Sequence, residues 1–325
     1  MAELSNQLMG ITVLAYLLAM VFYAAEYAFG ARSHIGRAAA RPARQLVGAG
    51  APTDDISDES PAVAAEPKRD RGELLGTIAV GLTWLAFALH LGTVVTRGIA
   101  ADRMPWGNMY EYILTVGLVG SAVWLGVLTR WPGIRHLGLF ATLALTVLLG
   151  ADGLIAYAPV GPLVPALNSY WFIIHVSSII LASGILLIGG VPAAMFLIRT
   201  GYDQGKRRFP YALGAKVPAA AALERLTFRL HAFGFPLFTF GALIAGPLWA
   251  EASWGRYWGW DPKEVWAFIS FVVYAAYLHA RATPSVKRTT ATWIALLGFV
   301  TMLMNLFGVN LFFTGLHSYA NAGGM

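Results

Sequence analysis

The chain has 325 residues, of which 57% are hydrophobic and 12% are charged, and its formal net charge is +6 at pH 7. This composition lies far from that of a soluble globular domain and predicts a polytopic membrane protein. The apolar runs are continuous rather than alternating, which excludes a β-barrel and predicts an all-α fold. Because the chain contains no cysteine, it offers neither thiolate ligands nor thiol–disulfide exchange.

Apolar stretches long enough to cross a bilayer, roughly 20 residues each, occur at about eight places in the sequence. They lie at 9–29, 74–96, 109–129, 137–157, 170–198, 228–250, 263–280 and 290–312. Basic residues follow the first stretch rather than precede it, the reverse of a secretory signal peptide, so residues 1–30 are expected to remain as an anchor. Residues 31–72, rich in Ala, Pro, Asp and Arg, are predicted to form a flexible cytoplasmic linker before a transmembrane core at 73–325.

The basic residues predict the orientation of the chain in the membrane. If the loop after the first span is cytoplasmic, 19 of the 23 Lys and Arg residues fall in inner segments. The other four lie outside: Arg97, Arg103, Arg256 and Lys263. Both termini then face outward, and we expect a multi-pass protein of the bacterial plasma membrane with its active face outside the cytoplasm. The positive charge is thus a topology signal, and no nucleic-acid partner is expected.

The segment WGRYWGWDPKEVW at 254–266 holds four tryptophans and a tyrosine, in a predicted outer loop at 251–266 between the sixth and seventh spans. Such a surface is broad, flat and apolar with few rotatable bonds, which suits a planar aromatic ligand such as a porphyrin. An interfacial aromatic belt is the alternative, but it accounts for neither the density nor the glycines. Asp261, Pro262 and Glu264 have the spacing of the N-cap, first and third positions of a helix, so Asp261 is expected to be a cap rather than a catalyst.

The predicted topology sorts the seven histidines by depth. His175 lies within two turns of the outer end of the fifth span, and His317 follows the eighth span on the same side. Together with the tryptophan loop they meet one face of the membrane, and two neutral imidazoles there can ligate haem iron from opposite sides. His279 lies 16 residues beyond Lys263, ~24 Å at helical rise, and so near the inner surface. There it is either a snorkelling end residue or a ligand of an inner site.

The remaining ionisable residues in or near the spans carry no predicted function. His90 lies in the outer part of the second span, too far from His279 to clamp the same iron. Glu111, at the outer end of the third span, is expected to cap a helix or to pair with Arg103. Three histidines are expected to be interfacial polar residues: His34, His136 and His231. No phosphate-binding loop, zinc-protease motif or nucleophile elbow is present in the sequence.

Four motifs together, WFIIHVSS, WGRYWGWDPKEVWA, YLHAR and GVNLFFTGLHSYA, resemble the haem-handling membrane proteins that carry a tryptophan-rich WWD motif. The resemblance, over roughly residues 74–325, is to the CcsA (ResC) branch of system II cytochrome c biogenesis, in which some actinobacterial members are named CcsB. It implies a protein that takes haem across the plasma membrane. With a ResB/Ccs1-like membrane partner it would present haem for thioether attachment to CXXCH apocytochrome c, the activity of a holocytochrome c synthase.

The resemblance also implies roles for individual residues. His175 and His317 match the two external histidines that flank the WWD segment and would be axial ligands of haem iron. His279 matches the transmembrane histidine of an inner haem site, whose second ligand comes from the ResB-like portion in fused relatives. The residues that match the aromatic haem-binding motif are Trp254, Trp258, Trp260, Asp261 and Trp266. The group handled would be haem b, as transported substrate and in its ferrous state for attachment, and the further partners would be thiol-reducing proteins that keep the apocytochrome reduced.

Three other functions remain open at this point. A haem exporter would use the same ligands but form no thioether bond. A quinol oxidoreductase would hold haem permanently, although the sequence has no separate quinone motif. A non-haem transporter would use the tryptophans as a belt and the histidines as proton relays.

Overall fold

The computed structural model describes residues 1–29 and 71–317, and their regular structure is entirely helical. The α-helices are α1 (Ala2–Phe29), α2 (Arg71–Ala101), α3 (Met109–Arg130), α4 (Gly138–Ala151), α5 (Tyr170–Asp203), α6 (Ala220–Phe240), α7 (Gly246–Trp254), α8 (Pro262–Ala282), α9 (Arg288–Leu303) and α10 (Val309–Phe312). Eight segments of this part of the chain are long and apolar enough to cross a membrane. The prediction of an all-α protein with about eight spans is confirmed. The linker at 31–72 and His34 lie outside the described residues, apart from the first two residues of α2, and the proposed division into domains stays a prediction.

The helices extend beyond the apolar stretches from which they were predicted. The first begins at Ala2 rather than near residue 9, and the sixth span runs over Ala220–Trp254 rather than 228–250. Polar side chains in these extensions form hydrogen bonds inside the bundle. For example, the Ser5 hydroxyl donates to the carbonyl of Thr93 at 3.0 Å. Hydropathy alone underestimates the helix length, because satisfied polar residues continue a helix without adding apolar character.

Successive spans run in opposite directions, which gives the bundle two ends. We call the one that holds the loops 102–108, 157–169 and 255–261 the site end, and the other the opposite end. At the site end the Asn6 amide donates to the hydroxyl of Tyr157 at 3.1 Å. At the opposite end Arg135 pairs with Glu26 at 2.5 Å, which ties the end of α1 to the segment before α4.

Helix α5 crosses the centre of the bundle and approaches α3 very closely. A Cβ atom on Gly184 would lie 2.6 Å from Cγ1 of Val119 and 2.9 Å from the backbone nitrogen of Gly120. No larger side chain fits there without moving backbone. Close contact through small residues is a common way to pack helices in a membrane, where burial of apolar area supplies little drive.

Three short π-helical turns interrupt the spans near the site end: Asp152–Ala156 after α4, Gly241–Ala245 between α6 and α7, and Met304–Gly308 between α9 and α10. A π-turn shifts the hydrogen-bond register by one residue and often marks a functional site. The second and third contribute residues to the cavity described below.

A buried cluster of charges fixes the loop 102–108 at the site end. The Glu111 carboxylate accepts from Arg97 Nε at 3.2 Å, from Arg103 Nη1 at 2.6 Å and from the backbone amide of Gly107 at 2.8 Å. The side chains of Arg97 and Glu111 are fully buried. The predicted pairing of Glu111 with Arg103 is confirmed, and the second arginine makes the cluster more extensive than the sequence indicated.

Candidate functional site

A cavity opens at the site end between α3, α5, α7, α8 and α9. It encloses about 1150 Å³ of space not occupied by protein atoms, its open mouth included. His175 and His317 both line it, together with Trp254 and Trp258. The cavity thus brings His175 and His317 together with half of the tryptophans of the segment 254–266. Most of its remaining wall is apolar: Trp106, Met109, Leu167, Phe172, Val176, Ile179, Phe238, Trp249, Met302 and Leu306.

His175 is oriented by the π-turn between α6 and α7. Its Nδ1–H donates to the carbonyl oxygen of Gly241 at 2.8 Å, and the same oxygen accepts the backbone N–H of Gly246 across the π-turn. A hydrogen bond from Nδ1 selects the neutral tautomer whose lone pair is on Nε2. The ring also stacks on Trp249 with a centroid distance of 5.5 Å and an interplanar angle of 9°. His175 therefore presents Nε2 as a ligand atom in a fixed orientation.

Gly246 provides the room in which the His175 ring lies. A Cβ atom at this position would be 3.2 Å from both Cε1 and Nδ1 of His175 and 3.2 Å from the carbonyl oxygen of Gly241. These contacts are tighter than ordinary van der Waals distances, so a side chain would displace the imidazole or its acceptor. Glycine at the start of α7 thus leaves the space that the His175 ring occupies.

His317 is oriented by Asp261, across 56 residues of sequence. Its Nδ1–H donates to Oδ2 of Asp261 at 2.7 Å, while Oδ1 accepts the backbone N–H of Leu316 at 2.6 Å. In the neutral ring Nε2 then carries the lone pair, and a carboxylate on the other nitrogen is the usual outer partner of a ligating histidine. Burial would raise the pKa of the Asp261 carboxyl, but hydrogen bonds from His317 and from the amides of Leu316 and Lys263 hold it below its ordinary value. Asp261 thus stays a carboxylate throughout the neutral pH range.

Asp261 also begins α8, as predicted. The carboxylate of Asp261 and the side chain of Glu264 form a capping box, with Pro262 at the first helical position. Oε2 of Glu264 accepts the backbone amides of Gly259 at 2.8 Å and of Asp261 at 3.0 Å. One residue therefore both starts the helix and holds a histidine, a second role that the cap signature alone did not indicate.

Trp249 connects the two histidines and was missed from the sequence. Its indole stacks on His175 and meets the ring of His317 at a centroid distance of 5.6 Å and an angle of 60°. The indole Nε1–H donates to the carbonyl of Ala166 at 3.0 Å, and Trp254 packs against both Trp249 and His317 at 4.8 and 5.1 Å. Trp249 lies five residues before Trp254 in an apolar helix, where its sequence context is that of an ordinary core residue. Only the fold shows that it contacts both rings.

The other two tryptophans of the segment 254–266 do not line the cavity. Trp260 has a φ of 58°, a strained value for a bulky residue, and its side chain is 65% exposed. It packs edge-on against Trp258 and Phe268. Trp266 is partly buried in the second turn of α8. Trp254 and Trp258 therefore line the cavity and Trp260 is exposed beside it, while the haem-binding role expected for all four tryptophans stays a prediction.

The sequence matches the family described as Cytochrome C assembly protein over residues 106–317. It is 38% identical over 261 residues to the cytochrome c biogenesis protein CcsA of Guillardia theta, covering 74% of this chain and 85% of that protein. The CcsA protein of Gloeobacter violaceus is 31% identical over 300 residues, covering 77% and 88%. The chain belongs to the cytochrome c assembly (CcsA) family. It is accordingly a multi-pass membrane protein of cytochrome c biogenesis.

A solved structure shares the fold of this CcsA-family chain. The protein described as Cytochrome c Heme Lyase CcmF superposes with a TM-score of 0.55 at 19% sequence identity, and the match covers 99% of this chain and 49% of CcmF. At this identity the likeness concerns the fold alone. The chain corresponds to about half of the CcmF protein.

His279 of this CcsA-family chain lies apart from the cavity. It is in the last turn of α8, at the opposite end, and its side chain is exposed on the surface of the bundle. The backbone carbonyl of His279 accepts the hydroxyl of Thr283 at 2.8 Å. The structure therefore brings His175 and His317 together and leaves His279 on a separate surface, in line with the depth expected from the sequence.

His90 has a structural role in the interior of the bundle. It is fully buried, with Nε2 donating to the carbonyl of Leu114 at 2.9 Å and Nδ1 within 3.4 Å of the Tyr16 hydroxyl. Both ring nitrogens are thus engaged in hydrogen bonds between α1, α2 and α3. His90 does not belong to the cavity, and its hydrogen bonds account for its burial.

The expectation that His231 is an interfacial residue is wrong. Because α6 begins at Ala220, His231 lies in its fourth turn rather than at the helix end, and it is fully buried. Its Nδ1–H donates to the carbonyl of Thr227 at 2.8 Å, and its ring contacts those of Tyr274 and Tyr277 at 5.5 and 4.9 Å. His136, by contrast, is partly exposed at the opposite end, 3.9 Å from Glu26.

Proposed function

We propose that this protein binds haem in the cavity at the site end, with His175 and His317 as axial ligands, and presents it for covalent attachment to apocytochrome c. The observation that carries the proposal is the convergence of two imidazoles in one tryptophan-lined cavity, each with Nδ1 bonded to a protein acceptor. Two nitrogen ligands with apolar walls between them match a flat macrocycle with an axial position on each face. Among the described residues no cluster of three or more His, Cys, Asp or Glu residues could hold a free metal ion.

The outer partners of the histidines would keep both rings ready for ligation. The Gly241 carbonyl and the Asp261 carboxylate hold the neutral tautomers, which spares the ligands a reorientation when haem binds. Trp249 packs against both rings, and Trp254 and Trp258 would lie against the macrocycle. Bis-imidazole ligation in a partly buried site would also protect ferrous haem b from oxidation before attachment.

Attachment requires no acid or base from this chain. Each thiol of the CXXCH segment adds across a vinyl double bond of haem, so that the sulfur bonds to one vinyl carbon and the thiol hydrogen passes to the other. No electrons are exchanged, and the thiols belong to the apocytochrome, in agreement with the lack of cysteine here. The chain's contribution is to hold the vinyl groups beside the thiols, which can supply a large part of the rate enhancement by positioning alone. The histidine of CXXCH would replace one protein ligand and promote release of the product.

The site end would face outward, and haem would load from the opposite end near His279. The exposed imidazole of His279 requires its second iron ligand from another polypeptide, for which a ResB/Ccs1-like membrane protein is the candidate partner. In this arrangement haem passes from the inner face of the bacterial plasma membrane to the outer cavity. Separate proteins would keep the apocytochrome thiols reduced.

The test is holocytochrome formation in a bacterium that lacks its own cytochrome c maturation, with this chain, its ResB-like partner and a CXXCH apocytochrome expressed together. Covalent haem is detected by peroxidase stain after denaturing electrophoresis. We expect His175→Ala and His317→Ala each to abolish the stain at normal protein levels. His136→Ala, at the opposite end, is the matched control and should retain it.

The outcomes separate the proposal from its rivals. Full attachment in either ligand variant would contradict the ligand assignment. Bound haem in the wild type without any thioether product, with partner and apocytochrome present, would favour a haem exporter. A chain purified without haem from haem-replete cells would favour a non-haem transporter.

A further inference from the structure

Lys263 places a positive charge in the wall of a mostly apolar cavity. It lies in the first turn of α8, between the segment 254–260 and the third π-turn, and it lines the same cavity as His175 and His317. An ammonium group among apolar side chains is costly unless something neutralises it. The partner of this charge is therefore informative about the ligand.

Within the described residues, no carboxylate oxygen lies within 4.0 Å of the Lys263 ammonium. Its nearest acceptors are Sδ of Met109 at 3.5 Å and the backbone carbonyl of Asn305 at 3.4 Å. A thioether is a weak acceptor and the carbonyl is distant, so three strong donors have little to bind. The ammonium is under-satisfied by the protein alone.

The two nearest carboxylates in sequence are committed elsewhere. Each oxygen of Asp261 accepts a hydrogen bond, one from His317 and one from the amide of Leu316. Oε2 of Glu264, which also lines the cavity, accepts the amides of Gly259 and Asp261. Asp261 attracts the Lys263 ammonium as a nearby charge, but neither acid forms an ion pair with it within 4.0 Å, since each is held by the start of α8 and the chain around His317.

We propose that Lys263 binds a carboxylate of the ligand, specifically a propionate of haem, and so sets which edge of the macrocycle enters the cavity. This inference rests on the proposed function and extends it. Haem carries its two propionates on one edge and its vinyl groups elsewhere on the ring, so an ion pair at Lys263 fixes the macrocycle against rotation about the axis through the two imidazoles. The histidines alone cannot do this, because axial ligation leaves that rotation undetermined. Charge-assisted hydrogen bonds from an ammonium to a carboxylate in a site of low polarity supply the needed restraint.

The experiment compares haem with its dimethyl ester, in which the propionate charges are removed and the ring, the iron and the vinyl groups are unchanged. The purified chain in detergent is titrated with each compound and the Soret absorption gives both dissociation constants. The variants are Lys263→Met, similar in size without the charge, and Lys263→Arg, which keeps the charge. Lys287→Met, exposed at the opposite end, is the matched control.

For each protein we take the ratio of the dissociation constant of the ester to that of haem. This ratio should be roughly ten- to hundredfold larger in the wild type than in Lys263→Met. Lys263→Arg and Lys287→Met should keep the wild-type ratio, and the bis-histidine spectrum should be the same in all four proteins. Because the ratio is taken within each protein, a general loss of stability or a difference in partition into micelles cancels.

An unchanged ratio in Lys263→Met, with the bis-histidine spectrum present, would overturn the role of Lys263 and leave the proposed function intact. Haem bound by the wild type with a spectrum unaffected by His175→Ala and by His317→Ala would overturn the proposed ligand site instead. A wild-type protein that binds neither compound would overturn both.

Discussion

At the scale of single residues, the two histidines of the cavity are held by different acceptors to the same effect. A backbone carbonyl holds His175 and a carboxylate holds His317, each through Nδ1. The carboxylate provides the stronger restraint, because a charged acceptor shortens and strengthens the hydrogen bond. Loss of Asp261 should therefore disturb ligation more than the loss of a neutral contact would.

Asp261→Ser should weaken haem binding roughly ten- to hundredfold, the usual effect of removing an outer partner from a ligating histidine. Serine is a good N-cap, so the start of α8 should persist while the acceptor for His317 is lost. Soret titration of the purified variant measures the effect. The melting temperature serves as control and should change little. Wild-type affinity in this variant would contradict the role assigned to the carboxylate.

Gly246→Ala should impair haem binding without unfolding the protein. Alanine normally favours a helix over glycine by about 1 kcal/mol, but here its Cβ would lie 3.2 Å from two atoms of the His175 ring. Gly126→Ala on α3 is the matched control, since its Cβ would meet no atom within 4 Å. We expect Gly126→Ala to bind haem as the wild type does and Gly246→Ala to show a weaker or spectrally altered complex in the same titration. Equal binding by both would show that the ring has room to move.

At the scale of elements, the start of α8 could be predicted from the sequence, whereas the starts of α1 and α6 and the π-turns could not. The start of α8 was predicted at the correct residue because capping is a local matter of Asp261, Pro262 and Glu264. The π-turn that carries Gly241 has no such local signature in the sequence GALIA. It depends on the packing of α6 against α5, and so does the acceptor for His175.

The loop 102–108 is an element of the cavity that depends on one buried carboxylate. Glu111→Gln should destabilise the protein by about 3–5 kcal/mol, because it leaves Arg97 buried beside an acceptor without charge. Denaturation of the purified protein in mixed detergent measures the change. Asp203→Asn is the control, since its pair with Arg199 is exposed and contributes less than about 1 kcal/mol. Similar stability of the two variants would contradict the structural role of the cluster.

At the scale of the whole molecule, the sequence predicted the number of spans and the meeting of His175, His317 and the tryptophan segment at one end. These follow from chain direction alone, since residues at the same end of antiparallel helices must be near each other. Trp249 and the burial of His231 could not be predicted in this way. Both depend on which helices are neighbours and on where α6 begins, and neither is encoded in a local pattern.

The orientation of the bundle is itself testable, because the chain has no native cysteine. Asn168→Cys at the site end and Ser285→Cys at the opposite end both replace exposed residues. With the site end outward, as the distribution of Lys and Arg predicts, a membrane-impermeant maleimide should label Asn168→Cys in intact cells and Ser285→Cys only after lysis. The reverse pattern would invert the proposed direction of haem transfer.

The most direct test of the central claim is the absorption spectrum of the purified chain, with and without its ResB-like partner, after dithionite reduction. The wild type should show the sharp bands of low-spin ferrous haem, and His175→Ala and His317→Ala should each lose or shift them, because one axial ligand is removed. A wild-type spectrum in both variants, or no haem in the wild type with its partner present, would contradict the claim that these two histidines bind haem.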